Sequence, residues 1–91
     1  MQIHFIKNIQ FTRLVKAEGR LREFNFRKYN GGEGELLFSI DVVDDRGNRI
    51  LFRMQKEGGS WKILPGQYPS WILANENSFH EIIEDELRQA S

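Results

Sequence analysis

Ninety-one residues carry 40% apolar and 29% charged side chains, with thirteen Lys/Arg against thirteen Asp/Glu and no cysteine. The length fits a single domain, 1–91; the aromatic content excludes a disordered chain, and the missing thiols exclude disulfides and thiolate metal sites. The balanced charge argues against a dedicated nucleic-acid binder, but it is uneven: residues 1–71 hold twelve basic against eight acidic side chains, and residues 72–91 hold Arg88 against five acids.

The opening MQIHFIKNIQF alternates apolar and polar residues where a secretory leader needs a charged head and an unbroken apolar run. No stretch approaches the ~20 apolar residues that span a bilayer. A cytoplasmic chain with no membrane segment is expected.

Period-two alternation broken at glycine-bearing turns marks antiparallel strands with one buried face. Strands are expected over about 2–17, 20–29, 35–44, 48–57 and 60–64, with a helix over about 78–90. In the first, Ile3, Phe5, Ile9, Phe11, Val15 and Ala17 share one parity, with a break near Lys7 and Asn8. Glu18 and Gly19 form a two-residue hairpin loop that sets Phe11 opposite Phe26, Arg13 opposite Phe24 and Val15 opposite Arg22.

At the second turn, local chemistry and hydrophobic phase disagree. Asn30 and Gly31 suit a type I′ turn, but that register throws Phe26 against Glu35 and Phe24 against Leu37. Phase therefore expects a five-residue loop, Asn30–Gly34, pairing Phe26 with Phe38 and Phe24 with Ile40. Gly47 in DDRGN fits the left-handed position of a three-residue loop and pairs Val42 with Ile50, Ile40 with Phe52 and Phe38 with Met54. Gly58 and Gly59 close a two-residue loop that pairs Met54 with Ile63 and Lys56 with Trp61, which places Trp61 on the core side.

After Leu64 the alternation stops. Two prolines rule out a central strand in PGQYPSWIL, and Pro69 is suited to open a helical turn that tucks Trp71 against the sheet. Trp71 and Tyr68 are equally candidates for an interface. Ser78 with Glu81 reads as a capping box, and Phe79, Ile82, Ile83, Leu87 and Ala90 fall on one helical stripe, with Glu84 and Asp85 turned to solvent.

The expected fold is α+β: a five-stranded antiparallel β-meander, strongly twisted or a half-barrel, with one C-terminal α-helix packed on its apolar face. Five strands span roughly 24 Å and one helix about 10–12 Å. Either the sheet curls around its helix or a second copy covers the remainder, and the shortfall motivates a homodimer.

On the opposite face Gln10, Arg27, Leu37, Gln55 and Lys62 line one row, with Thr12, Asn25, Ser39 and Arg53 beside it and Glu23 facing Asp41 beyond. This polar, basic-centred face is the candidate binding surface, carried by Arg27, Arg53, Lys62, Asn25 and Gln55. Its plainest reading is a solvated sheet face, with Arg27 and Arg53 neutralising the Glu23–Asp41 pair.

No catalytic or metal-binding constellation is expected, and no cofactor. His4 and His80 stand 76 positions apart with no second ligand at a motif spacing, and no serine lies in a nucleophile elbow. NGGEGE lacks the GK[ST] of a phosphate loop, and DVVDDRGN lacks the ligand spacing of a calcium loop.

Strands followed by one terminal helix, together with FSIDVVDDRGNRILFRM (Phe38–Met54), resemble the PUR repeat and its central hairpin. The resemblance implies single-stranded nucleic-acid binding and dimerisation by intertwining. The chain departs from that family in lacking its lysine-rich strand ends, with Val43, Asp44 and Asp45 where basic residues are expected.

The residues point first to a small noncatalytic protein-interaction module that self-associates, with a protein partner. The alternative is a weak single-strand nucleic-acid binder using Arg27, Arg53 and Lys62 on phosphates and Tyr29 or Trp71 on bases.

Overall fold

The structure, a computed structural model, describes residues 9–30 and 35–90. Strands β1 (Gln10–Ala17), β2 (Arg20–Asn30), β3 (Leu36–Val43), β4 (Arg49–Glu57) and β5 (Ser60–Ile63) pair in sequence order, all antiparallel. A short helix α1 (Ser70–Leu73) and a long one, α2 (Glu76–Ala90), follow. The fold is the expected α+β meander, its sheet curled as a half-barrel with the helices on the packing face. Residues 2–8 of the expected first strand and residues 31–34 of the expected second loop lie outside the described residues.

Three of the four expected registers are observed residue for residue: Phe11↔Phe26 and Val15↔Arg22, Ile40↔Phe52 and Phe38↔Met54, and Met54↔Ile63 with Lys56↔Trp61. The β3/β4 and β4/β5 turns bend through positive φ, with Gly47 at 82° and the Gly58–Gly59 pair at 56° and 88°. Those angles match the right-handed twist of the flanking strands. Glu18 takes φ 54° in the first hairpin, a region L side chains enter at a cost.

The β2/β3 register departs from expectation by two residues. Phe26 faces Ile40 and Lys28 faces Phe38, in place of Phe26 with Phe38 and Phe24 with Ile40. Side chains repeat every two residues along a strand, so a two-residue slip leaves every side chain on its expected face and changes only its neighbour. Hydrophobic phase alone cannot choose between such registers.

Phe24, Phe26, Phe38, Ile40, Val42, Phe52, Met54 and Trp61 all point to one face and are fully buried. The phenyl ring of Phe79, from α2, is the hub, with its centroid 5.0 Å from Phe24, 6.2 Å from Phe26 and 5.3 Å from Phe52. Trp61 meets Phe38 edge to face at 5.1 Å, as buried aromatic pairs prefer. Curling narrows the span that the helix has to cover, and Ile72 of α1, also fully buried, extends the lid.

Two expectations about the helix are corrected. It starts at Glu76, and Ser78 sits exposed inside its first turn, so the Ser78/Glu81 capping box does not form. Asn75 takes the junction: its carbonyl accepts from the Phe79 N–H at 3.0 Å and its side-chain amide donates to the Trp71 carbonyl at 2.7 Å. Glu84 turns to the sheet, as described below.

Candidate binding surface

The outer face of the sheet carries every residue of the expected binding surface, in altered order. The two-residue slip brings Asp41 opposite Asn25 and away from Glu23, so the expected like-charge pair is absent. A relay crosses four strands instead: the Thr12 hydroxyl donates to Asn25 Oδ1 at 2.7 Å, Asn25 Nδ2 donates to Asp41 Oδ1 at 3.0 Å, and Arg49 donates to Asp41 Oδ2 at 2.9 Å. Partial burial raises the Asp41 pKa, but the bonds from Asn25 and Arg49 outweigh it and hold the carboxyl below its usual range. An open depression of about 490 Å³ lies over this relay, bordered by Gln10, Arg27 and Arg49.

The same slip places Arg27, Ser39 and Arg53 on one cross-strand row. Arg53 lies over the Tyr29 ring, 5.9 Å from its centroid, while Arg27 forms no ion pair among the described residues. Gln55 pairs with Lys62, whose ammonium reaches Glu76 at 4.0 Å, so Lys62 is turned toward the helix and away from the arginine row. Asn25 belongs to the relay. The five residues thus divide into a bonded network, a pair of arginines and a rim lysine.

Toward the other end of this face, Leu14, Leu21, Val43 and Leu51 are 64%, 63%, 54% and 46% exposed on four adjacent strands. Large side chains left in water across neighbouring strands contrast with a core that is already closed.

The two free edges of the sheet are treated differently. In β5 the Ser60 and Lys62 backbones bond to β4, and Leu64 continues that ladder to the Arg53 carbonyl at 2.8 Å. The N–H groups of Trp61 and Ile63 point away from the sheet. Trp61 N–H donates to His80 Nδ1 at 3.0 Å and Ile63 N–H to Glu76 Oε2 at 2.9 Å. The Trp61 indole N–H donates to Glu84 Oε2, also at 3.0 Å. Glu76, His80 and Glu84 are spaced i, i+4, i+8, so one side of α2 is a row of acceptors laid along the strand. The indole bond, above the opposing effect of burial, holds the Glu84 carboxyl below its usual range, with help from Lys56 at 3.3 Å.

At β1, Lys28 N–H donates to the Ile9 carbonyl at 2.9 Å, which makes the odd residues of this strand the ones bonded to β2. The backbone groups of Gln10, Thr12, Leu14 and Lys16 therefore face outward. None has a backbone partner among the described residues. α2 reaches this rim through the ion pair of Arg13 with Glu86.

Trp71 and Tyr68 pack inward on one side. Trp71 is half-buried, edge-on to Phe24 at 6.4 Å with the Arg22 guanidinium 4.6 Å above its ring, and Tyr68 meets Phe52 at 6.0 Å. Arg22, buried in the apolar phase of β2, also donates through Nε to the Ala17 carbonyl at 3.1 Å and through NH1 to Asp45 at 3.0 Å. That bond chiefly holds Asp45 below the usual carboxylate range. Arg22 thus ties two hairpin loops to α1.

Arg22, Asp45 and the Glu76/His80/Glu84 row were not anticipated. Arg22 carried a signal, being a charge on a core parity, and the i, i+4, i+8 spacing of three acceptors was a second. His4 lies outside the described residues, and among those described no group of three or more His, Cys, Asp or Glu is placed to hold a metal ion. Among the same residues no helix is long and apolar enough to cross a membrane.

Comparison with known proteins gives no match: no family model fits the chain, and no curated protein or solved structure is significantly similar to it. The resemblance of Phe38–Met54 to the PUR hairpin therefore has no family match behind it.

Proposed function

We propose that this chain is a small noncatalytic interaction module that self-associates as a homodimer and offers its outer sheet face to a protein partner. The observation that carries the reading is the line of exposed Leu14, Leu21, Val43 and Leu51 on a domain whose core is already sealed. Apolar side chains gathered on an otherwise polar sheet face mark contact surfaces more often than solvated ones. The noncatalytic part is supported by the engagement of the polar groups: His80 accepts a backbone N–H, and Asp41, Asp45 and Glu84 are each bonded to a cation or an indole. A cytoplasmic setting belongs to the proposal, and the absence of cysteine is compatible with it.

The test is the molar mass in solution by light scattering at micromolar concentration. Twice the 10.7 kDa chain mass is expected, and a monomer overturns the reading.

A second reading has its own observation, the Arg27–Ser39–Arg53 row with Tyr29 beneath Arg53. Two arginines roughly 10 Å apart over a hydroxyl, next to an aromatic ring, suit weak binding of single-stranded nucleic acid. Electrophoretic shifts of single-stranded oligonucleotides at low and moderate salt decide it: retardation that fades with salt supports it, and no retardation at low salt removes it.

A further inference from the structure

We infer that the dimer forms by antiparallel pairing of β1 with β1 of a second copy, joining the two half-barrels into one continuous sheet. The inference rests on the self-association reading and names its contact. Three observations lead to it.

The first is the asymmetry of the two edges. Both outward N–H groups of β5 end on α2 side chains at 3.0 and 2.9 Å, whereas the outward N–H groups of Gln10, Thr12, Leu14 and Lys16 end on nothing among the described residues, and of their carbonyls only that of Thr12 has a contact there, a long one of 3.5 Å from the neighbouring Arg13 guanidinium. A sheet edge of that length is a template for another strand unless something blunts it. The one inward charge that could do so, Arg13, is already engaged by Glu86.

The second is the set of side chains flanking that edge. On the outer face Leu14 is 64% exposed, with Leu21 at 63% on the adjoining strand; on the inner face Phe11, stacked on Phe26 at 4.7 Å, is only half-buried. A strand added along β1 covers both faces of the rim at once.

The third is that a copy of β1 is itself a suitable strand. With the two-fold axis at Arg13, Leu14 lies across from the partner's Thr12 and Lys16 across from the partner's Gln10. Phe11 lies across from the partner's Val15. All four outward residues of each copy find a partner, apolar atoms meet on both faces, and no like charges oppose on the outer face. The two Arg13 side chains approach at the axis, each carrying its own Glu86 carboxylate. The contact is isologous, so it closes at two copies.

The test combines one substitution, one control and one direct readout. Thr12→Pro removes an outward N–H and leaves the β1/β2 ladder intact; it is expected to weaken dimerisation roughly tenfold or more with an unchanged circular-dichroism spectrum. Glu57→Gln, at an exposed position on the end of β4 and away from β1, is expected to leave the dimer in place. In the wild-type chain, amide exchange at Thr12 and Leu14 is expected to slow in proportion to the dimer fraction. If Thr12→Pro fails to fold, the wild-type exchange decides alone. A dimer in which Thr12 and Leu14 exchange freely, or one that Thr12→Pro leaves intact, overturns this interface and spares the self-association reading. A wild-type chain that stays monomeric overturns both, and protection at Thr12 and Leu14 that is independent of concentration overturns the interface by showing a cover within the chain.

Discussion

The β5 edge and the β1 edge belong to the same curled sheet, yet among the described residues only β5 has its outward amides bonded. At β5 each outward N–H meets an acceptor from α2, and the strand's tryptophan adds a third bond to the same helix. At β1 a longer row of outward N–H groups meets no acceptor among the described residues, and the helix offers that side an ion pair from Glu86 to Arg13 and no bond to the strand's outward amides. The difference follows from how a helix lies in a half-barrel. Its apolar stripe, Phe79 and Ile83, must sit at the centre, and the face beside the stripe can be brought against one rim only. Length matters too: β5 has four residues with two outward amides, a number that one helix face can supply with acceptors, whereas β1 has eight residues and twice as many outward amides.

The firmest way to break the bonded side is at Trp61. Its side chain is fully buried, edge-on to Phe38, and bonded to Glu84. Trp61→Ala is expected to cost about 3–5 kcal/mol in urea denaturation, since it opens a cavity and leaves β5 without its anchor. A loss below 1 kcal/mol would mean that β5 is held mainly by its backbone ladder.

His80→Ala is the narrower probe. It removes the acceptor of the partly buried Trp61 N–H and is expected to cost about 1–2 kcal/mol. Exchange at the Trp61 amide should quicken far more than at Ile63, which keeps Glu76. Adding Glu76→Ala turns β5 into a second open edge. If edge pairing is how this chain associates, the double variant should form assemblies larger than a dimer in light scattering, because a chain with two open edges no longer closes on itself. A double variant that keeps the wild-type molar mass would show that acceptors on α2 are not what keeps β5 unpaired.

How much of this contrast could be read from the sequence depends on the residue. Strand number, face and three registers were legible because alternation and turn glycines constrain the same quantity from two directions, as at Gly47 with Val42 and Ile50. The β2/β3 pairing was not, because a slip of two residues costs nothing in hydrophobic phase, and the turn chemistry of Asn30–Gly31 pointed to a register that phase excluded. That slip rearranged the candidate surface, moving Arg27 into line with Arg53 and Asp41 away from Glu23. The acceptor row was missed for another reason. Glu84 on a helix reads as solvated by default, and only the tertiary position of β5 turns it into the partner of an indole.

The smallest effect isolates that indole bond. The donor from Trp61 is the main influence holding the Glu84 carboxyl below its usual range, against the opposing effect of burial. A carboxyl whose pKa is lower folded than unfolded adds stability above its unfolded value, and that stability is lost as pH falls through the folded value. Trp61→Phe keeps most of the ring volume and removes the donor. It should lower stability near neutral pH by about 1 kcal/mol, raise the Glu84 pKa toward the ordinary range by NMR titration, and flatten the loss of stability on the acid side. Lys56 remains within 3.3 Å of Glu84 in the variant, so part of the depression should survive. A Glu84 that titrates in Trp61→Phe as it does in the wild type would assign the depression to the lysine and leave the tryptophan a purely apolar role at the β5 edge.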